Sequence, residues 1–184
     1  KIYGPKGIGL LYIKNSYIKN LNPIITGGGQ EFGLRSGTEN IAGIVGFSKS
    51  IELVCNSAES EIKRIASLRN YFWKKIKTIY PKARLNGIGN DEFKIENMKN
   101  LPNILNIYFP GYSSEDLLIK FDLAGIAVSS GSSCSSRSSK QSHVLIACGL
   151  PLNRVKSSLR ISFGKLTTKT EIDEAIRRIN KLEL

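Results

Sequence analysis

Histidine is nearly absent from this chain. Its 184 residues include one, His143, and three cysteines, Cys55, Cys134 and Cys148, with no Cys-x-x-Cys pair. That set has neither the number nor the spacing of ligands that a zinc centre needs. An odd count of unpaired cysteines argues against a disulfide scaffold and for a reducing, cytoplasmic compartment. No apolar run approaches the roughly 18 residues of a membrane-spanning helix, and no secretory signal is visible. Acidic residues are also scarce, 15 against 27 Lys and Arg, for a net charge of +12. Such an excess invites a nucleic-acid partner. The basic residues are dispersed, however, and their densest stretch, Lys74-Lys75-Ile76-Lys77, lies on an amphipathic pattern where a solvated face accounts for it. The first residue is Lys1, not Met, and nothing up to Gly7 has targeting character. The natural chain is therefore expected to begin further upstream.

What is present suits one domain, or one domain plus part of another, with 41% hydrophobic residues to fill a core. Gly7 to Ile13 reads as a buried strand after a Gly-Pro turn. From Ile41 to Tyr80 apolar residues recur at three- and four-residue steps, which predicts one long helix or two in tandem, ended by Pro81, with Asn56-Ser57 as the expected break. Cys55 and Cys148 fall in apolar patterns and read as small core residues. Gly87 to Asn103 is turn-rich and reads as a loop or insertion. Strands are expected at Ile104 to Phe109, at Ile126 to Val128, and around Leu159, Ile161 and Phe163, whose alternation buries one face. Helices are expected from Ser114, as cap, through Leu123, and from Ser142 to Ala147. A last helix opens with the capping box Thr168-Lys169-Thr170-Glu171 and buries Ile172, Ile176 and Ile179. Strands alternating with helices make an α/β or α+β unit of about 100 residues.

Cys134 lies in a stretch that has no core character. Ser129 to Ser139 read Ser-Ser-Gly-Ser-Ser-Cys-Ser-Ser-Arg-Ser-Ser. Free cysteine is normally among the most buried residue types, so a thiol in this setting points to reactivity. A second segment, Gly27-Gly28-Gly29 through Arg35-Ser36-Gly37-Thr38, immediately precedes the long helical pattern. Its glycines permit close backbone approach, and Ser36, Thr38 and the free N–H groups of a helix start suit a phosphate. By itself the same segment reads more simply as a glycine turn with Thr38 as a helix cap.

Taken together, five ordered motifs decide between these readings. They are Lys1-Ile2-Tyr3-Gly4-Pro5-Lys6-Gly7-Ile8-Gly9, Arg35-Ser36-Gly37-Thr38, Ser129-Ser130-Gly131-Ser132-Ser133-Cys134, Ser142-His143-Val144-Leu145 and Leu159-Arg160-Ile161-Ser162-Phe163-Gly164. In this order the sequence resembles the pyridoxal-phosphate cysteine desulfurases of the NifS/IscS type, within the class V aminotransferases, and matches only their C-terminal half. The resemblance implies an α/β fold, the C-terminal part of a fold type I transferase related to aspartate aminotransferase, with its small α/β domain complete. Residues 1–55 would be the end of the large cofactor-binding domain and the start of a connecting helix. Residues 56–184 would be the small domain, carrying the cysteine loop at about 129–141.

The resemblance also assigns roles. Lys1 matches the lysine that forms the Schiff base with pyridoxal 5'-phosphate and moves the substrate Cα proton. Thr38 matches the threonine that reaches the cofactor phosphate of the neighbouring subunit, which implies a homodimer. Cys134 matches the cysteine that takes sulfur as a persulfide, and Arg160 the arginine that holds the substrate α-carboxylate. The chemistry suits these types. A lysine amine attacks an aldehyde once deprotonated, a thiolate attacks sulfur, and a guanidinium fork grips a carboxylate bidentately. Lys6 rivals Lys1 by type but follows a Gly-Pro turn. Arg160, between Leu159 and Ile161, faces away from their buried side, and without the resemblance an exposed strand arginine would account for it. His143 reads either as a base for the Cys134 thiol or as a helix-start residue that packs the loop anchor, the second being the simpler role.

The implied activity removes sulfur from L-cysteine, giving L-alanine and a persulfide on Cys134. An iron–sulfur scaffold protein or another acceptor would then take the sulfur. Transient contact of Cys134 with such a cluster is the only metal role implied. The histidine, aspartate and glutamine that hold the cofactor ring in the family lie outside this sequence, so the chain alone is expected to be inactive. Two departures stand out: Gln141 replaces a proline common before Ser-His-Val-Leu, and residues 88–100 are longer than in common relatives. Selenocysteine lyase of the same family is the enzymatic alternative. A non-catalytic sulfur-carrier or partner-binding module, and a basic nucleic-acid binder, are the others.

Overall fold

The computed structural model describes residues 1–87, 101–131 and 141–182. The chain forms two compact units, Lys1–Ala58 and Glu59–Leu184. One helix, α2 (Ile41–Ile79), contributes to both and runs without the break expected at Asn56-Ser57.

The first unit is a set of turns gathered on the start of α2. It contains the short helix α1 (Asn15–Ile18) and a 3₁₀ turn at Gln30–Gly33. No apolar side chain of residues 1–58 is fully buried; the buried residues there are Ser36 and Ser50. The Gly-Pro turn lies on α2 through small residues. A Cβ on Gly4 would sit 2.9 Å from Ser50 Oγ and 3.1 Å from the Phe47 ring, and one on Gly46 would sit 3.1 Å from Pro5. Glycine at position 4 is therefore a packing requirement. The strand expected at Gly7 to Ile13 is not formed. Leu10, Leu11 and Tyr12 are 71%, 79% and 83% exposed, and among the described residues none offers this stretch a ladder of hydrogen bonds. A strand exists only through such a partner.

The second unit has a helical layer on one face of a three-stranded antiparallel sheet. Its strands are β1 (Arg84–Leu85), β2 (Ile104–Tyr108) and β3 (Ser158–Ser162), in the order β1-β2-β3. Leu105, Ile107, Leu159 and Ile161 point to the core. They meet Phe72, Trp73 and Ile76 of α2, Tyr80 just beyond it, Leu117 and Phe121 of α3 (Ser114–Leu123), and Ile172 and Ile179 of α6 (Lys169–Asn180). Between these lie α4 (His143–Ala147) and α5 (Leu152–Val155). The period-2 alternation of β3 and the 3.6-residue period of α6 are what put these apolar sets on one side. The Thr168–Glu171 capping box forms as read, and Arg64 of α2 donates to the carbonyls of Gly164, Lys165 and Thr167 just before it.

Several expectations are corrected. Ser113, not Ser114, caps α3, its side chain accepting from the Asp116 N–H. Ile126 to Val128 forms no strand; among the described residues the pairing nearby is a single bridge between Ser129 and Arg160. Cys55 and Cys148 are exposed, not core. Cys148 follows a helix of 5 residues that buries none of them, too short to present a covered face. Cys55 lies among Ile51, Leu53 and Val54, all themselves exposed. Residues 88–100, the proposed insertion, and Cys134 lie outside the described residues.

Candidate functional site

The glycine segment of the first unit is a braced turn. Ser36 Oγ donates to the Gly28 carbonyl at 2.8 Å, and its N–H donates to the Ile25 carbonyl at 3.3 Å. Gln30 Oε1 accepts the Gly37 N–H at 3.2 Å. Gly37 has φ of +113°, a region closed to residues with a Cβ. Glu31 and Phe32 both take left-handed φ, at 51° and 59°, and the Phe32 ring is 98% exposed.

This bracing presents Thr38 to solvent. The helix cap is made by Asn40, whose Oδ1 accepts the Gly43 N–H at 3.0 Å while its carbonyl starts the helical ladder with Ile44. Thr38 is thus not the cap, and its hydroxyl has no partner among the described residues. Sequence reading missed Asn40. The available signal was an Asn directly before the first periodic residue, Ile41. Lys1 is exposed, three residues ahead of the packed Gly4.

In the second unit Arg160 occupies the centre of a cross-strand row. Asn106 of β2 is its partner in register. The hydrogen-bonded pairs of this ladder fall at Phe109–Ser157 and Phe163–Asn103, so Asn106 and Arg160 form a non-hydrogen-bonded pair, in which side chains approach most closely. On its other side Arg160 exchanges both backbone hydrogen bonds with Ser129, at 2.6 and 3.1 Å. Beyond Asn106 lies Asn86, whose N–H donates to the Asn106 carbonyl at 2.9 Å. The row Asn86–Asn106–Arg160–Ser129 lies on the face away from the core, because their neighbours Leu105, Ile107, Leu159 and Ile161 point inward. The Arg160 guanidinium has no hydrogen-bond partner among the described residues.

The row is tied down at one end. Arg154, on α5, donates from Nε to Asn86 Oδ1 at 2.6 Å and from Nη2 to the Leu85 carbonyl at 2.7 Å, and its guanidinium lies 5.3 Å from the Tyr108 ring centre. Asn86 Nδ2 donates to Asn106 Oδ1 and to Ser158 Oγ, each at 2.7 Å, and Ser158 Oγ donates to the Arg154 carbonyl at 2.6 Å. None of these partners was recognised in the sequence.

At the other end the chain leads to the thiol. Cys134 is five residues beyond Ser129, a distance that backbone geometry limits to about 18 Å. His143 is exposed at the first position of α4, whose cap is the buried Ser142, accepting from the Leu145 N–H. Thus Arg160 is brought beside Ser129, where the cysteine-bearing stretch departs. Lys1 and Thr38 belong to the first unit, and Cys134 itself lies outside the described residues.

Residues 1–175 match the aminotransferase class-V family, and the chain belongs to that family. It is similar to a cysteine desulfurase IscS of Clostridium botulinum, with 42% identity over 183 residues, covering 99% of this chain and 44% of that protein. Among solved structures it is similar to a NifS-like protein from Rickettsia africae, at 34% identity and a TM-score of 0.70, over 88% of this chain and 39% of that one. It is also similar to a structure described as SspA in complex with cysteine, at 29% identity and a TM-score of 0.59, over 88% of this chain and 41% of that one. The chain therefore spans less than half the length of the curated relatives it matches. The fold expected from the motifs, the C-terminal part of a transferase of this family with an α/β small domain, is the one observed.

Proposed function

We propose that this chain supplies the C-terminal part of a pyridoxal-phosphate-dependent cysteine desulfurase that acts as a homodimer on L-cysteine. In this reading residues 1–55 close the large domain and residues 56–184 form the small one. The observation that carries it is the pairing of Ser129 with Arg160, which starts the Cys134 stretch beside a guanidinium with no hydrogen-bond partner among the described residues. A group that binds an amino-acid carboxylate and a thiol that takes its sulfur must meet on one substrate, and a tether of about 18 Å allows that.

Lys1 and Thr38 suit the two ends of pyridoxal phosphate, Lys1 in the chain's own site and Thr38 in that of the neighbouring subunit. The exposed Lys1 amine suits its aldehyde. The Thr38 hydroxyl, without a partner among the described residues because Asn40 caps α2, suits a phosphate beside the positive-φ Gly37. When bound, the cofactor supplies an electron sink for a carbanion at the substrate. Lys1 Nζ holds the cofactor and takes the substrate Cα proton. Arg160 fixes the α-carboxylate, and so the orientation of the side chain. The Cys134 thiolate forms a bond to the substrate sulfur as the Cβ–S bond breaks, and Cβ takes a proton. One cysteine and one enzyme thiol become one alanine and one persulfide, with no added oxidant. The sulfur then passes to an acceptor such as an iron–sulfur scaffold protein.

The test uses the complete enzyme. Cys134→Ser should abolish persulfide formation from L-cysteine while cofactor binding, read from its absorbance, is retained. Undiminished desulfuration by that variant would overturn the role of Cys134. Alanine formed from selenocysteine but not from cysteine would replace this reading with a selenocysteine lyase.

A further inference from the structure

The direction of every hydrogen bond in the network beside Arg160 follows from one residue. Arg154 can only donate. Its Nε therefore fixes the atom it meets as Asn86 Oδ1, the acceptor. That leaves Asn86 Nδ2 facing Asn106 and Ser158, so the Asn106 atom at 2.7 Å is Oδ1. The Ser158 hydroxyl accepts there and donates its proton to the Arg154 carbonyl, closing the loop. Only the Asn106 amino group remains. Its two N–H donors have no partner among the described residues. They project from the residue directly opposite Arg160, in the closer kind of antiparallel pair.

We propose that Asn106 Nδ2 is a second donor to the α-carboxylate held by Arg160, and that Arg154 and Asn86 are positioning residues that keep this amide turned donor-outward. The inference rests on the assignment of Arg160 to the substrate carboxylate. The row Asn86–Asn106–Arg160–Ser129 contains no acidic side chain, so the row itself supplies no anion to the donors of Asn106 and Arg160, which stand opposite each other. A carboxylate has about four lone-pair positions, and the arginine fork takes two. Reversing the Asn106 amide would present its oxygen to a carboxylate, a repulsive contact. The Arg154 relay therefore favours substrates with a carboxylate on Cα over simple amines.

The experiment compares L-cysteine with cysteamine, which lacks the carboxylate. Binding is followed by cofactor absorbance in the complete enzyme, in a Cys134→Ser background so that sulfur is not transferred. Asn106→Ala should weaken L-cysteine binding by about tenfold to a hundredfold, the effect of one hydrogen bond to a charged group, and leave cysteamine unchanged. Asn86→Asp should behave alike. Its carboxylate still accepts from Arg154, but it cannot donate to Asn106, whose amide then turns inward. The inference is overturned if both variants bind L-cysteine as the parent does while Arg160→Gln does not, or if they weaken both ligands equally. Unchanged L-cysteine binding in Arg160→Gln would instead remove the carboxylate assignment itself.

Discussion

Phe121→Ala should unfold the second unit at far lower urea concentration than the unaltered chain. Phe121 of α3 is fully buried, and its ring meets Phe109 edge to face at 6.4 Å between centroids. Around it are Leu105, Ile107, Leu117 and Leu159, all at most 1% exposed, so the hole left by the ring has no route to solvent and little room to collapse. Phe→Ala at such a site costs about 3–5 kcal/mol. With a urea dependence of about 2 kcal/mol/M, the midpoint should fall by about 1.5–2.5 M. The assay is built into the chain. Trp73 is its only tryptophan, is 2% exposed and belongs to the same core, so its fluorescence reports this unit alone. Leu11→Ala is the matched control. Leu11 is 79% exposed in the first unit and should move the midpoint by less than about 0.5 kcal/mol equivalent. A shift for Phe121→Ala no larger than that of Leu11→Ala would refute the assignment of stability to this core.

Two further outcomes are expected. Asn40→Ala removes the α2 cap and should destabilise its first turn by about 1 kcal/mol, seen as faster hydrogen exchange at the Gly43 amide, with residues 72–80 unaffected. Glu174, gripped by Arg177 and Arg178, has its carboxyl lowered from the ordinary 4.5 to about 2, chiefly through those hydrogen bonds. Its folded value lies below the unfolded one. Its contribution is therefore complete above pH 4.5 and is lost as pH falls toward 2. Carbon-13 shifts of the Glu174 carboxyl should show that low midpoint, and replacing both arginines with alanine should return it toward 4.5.

Local structure was legible because its causes are local. The capping box at Thr168, the alternation of Leu159, Ile161 and Phe163, and the long period that ends at Pro81 each act over a few residues, and each appears where read. The errors came where a segment's state depends on a distant partner. Among the described residues, Gly7 to Ile13 has strand composition but no ladder, and Cys55 and Cys148 sit in apolar patterns yet are exposed. Thr38 was read as either a cap or a phosphate ligand. The competing cap, Asn40, decides against the first.

The sequence alone determined the family and the candidate groups Lys1, Thr38, Cys134 and Arg160, because these are carried by short motifs in a set order. It also marked Arg160 as lying on the face away from the core, since strand alternation requires it. The company that Arg160 keeps was decided only by the tertiary structure. Asn106 lies 54 residues before it, Asn86 lies 74 before it and Ser129 lies 31 before it. Register between strands is set by the core that Leu105, Ile107, Leu159 and Ile161 share, and a slip of one residue would turn Asn106 inward. The amide orientation that makes Asn106 a donor depends, in turn, on an arginine from a four-residue helix. No spacing along the chain encodes that contact, because it exists only once β1 and α5 have been brought together around the folded sheet.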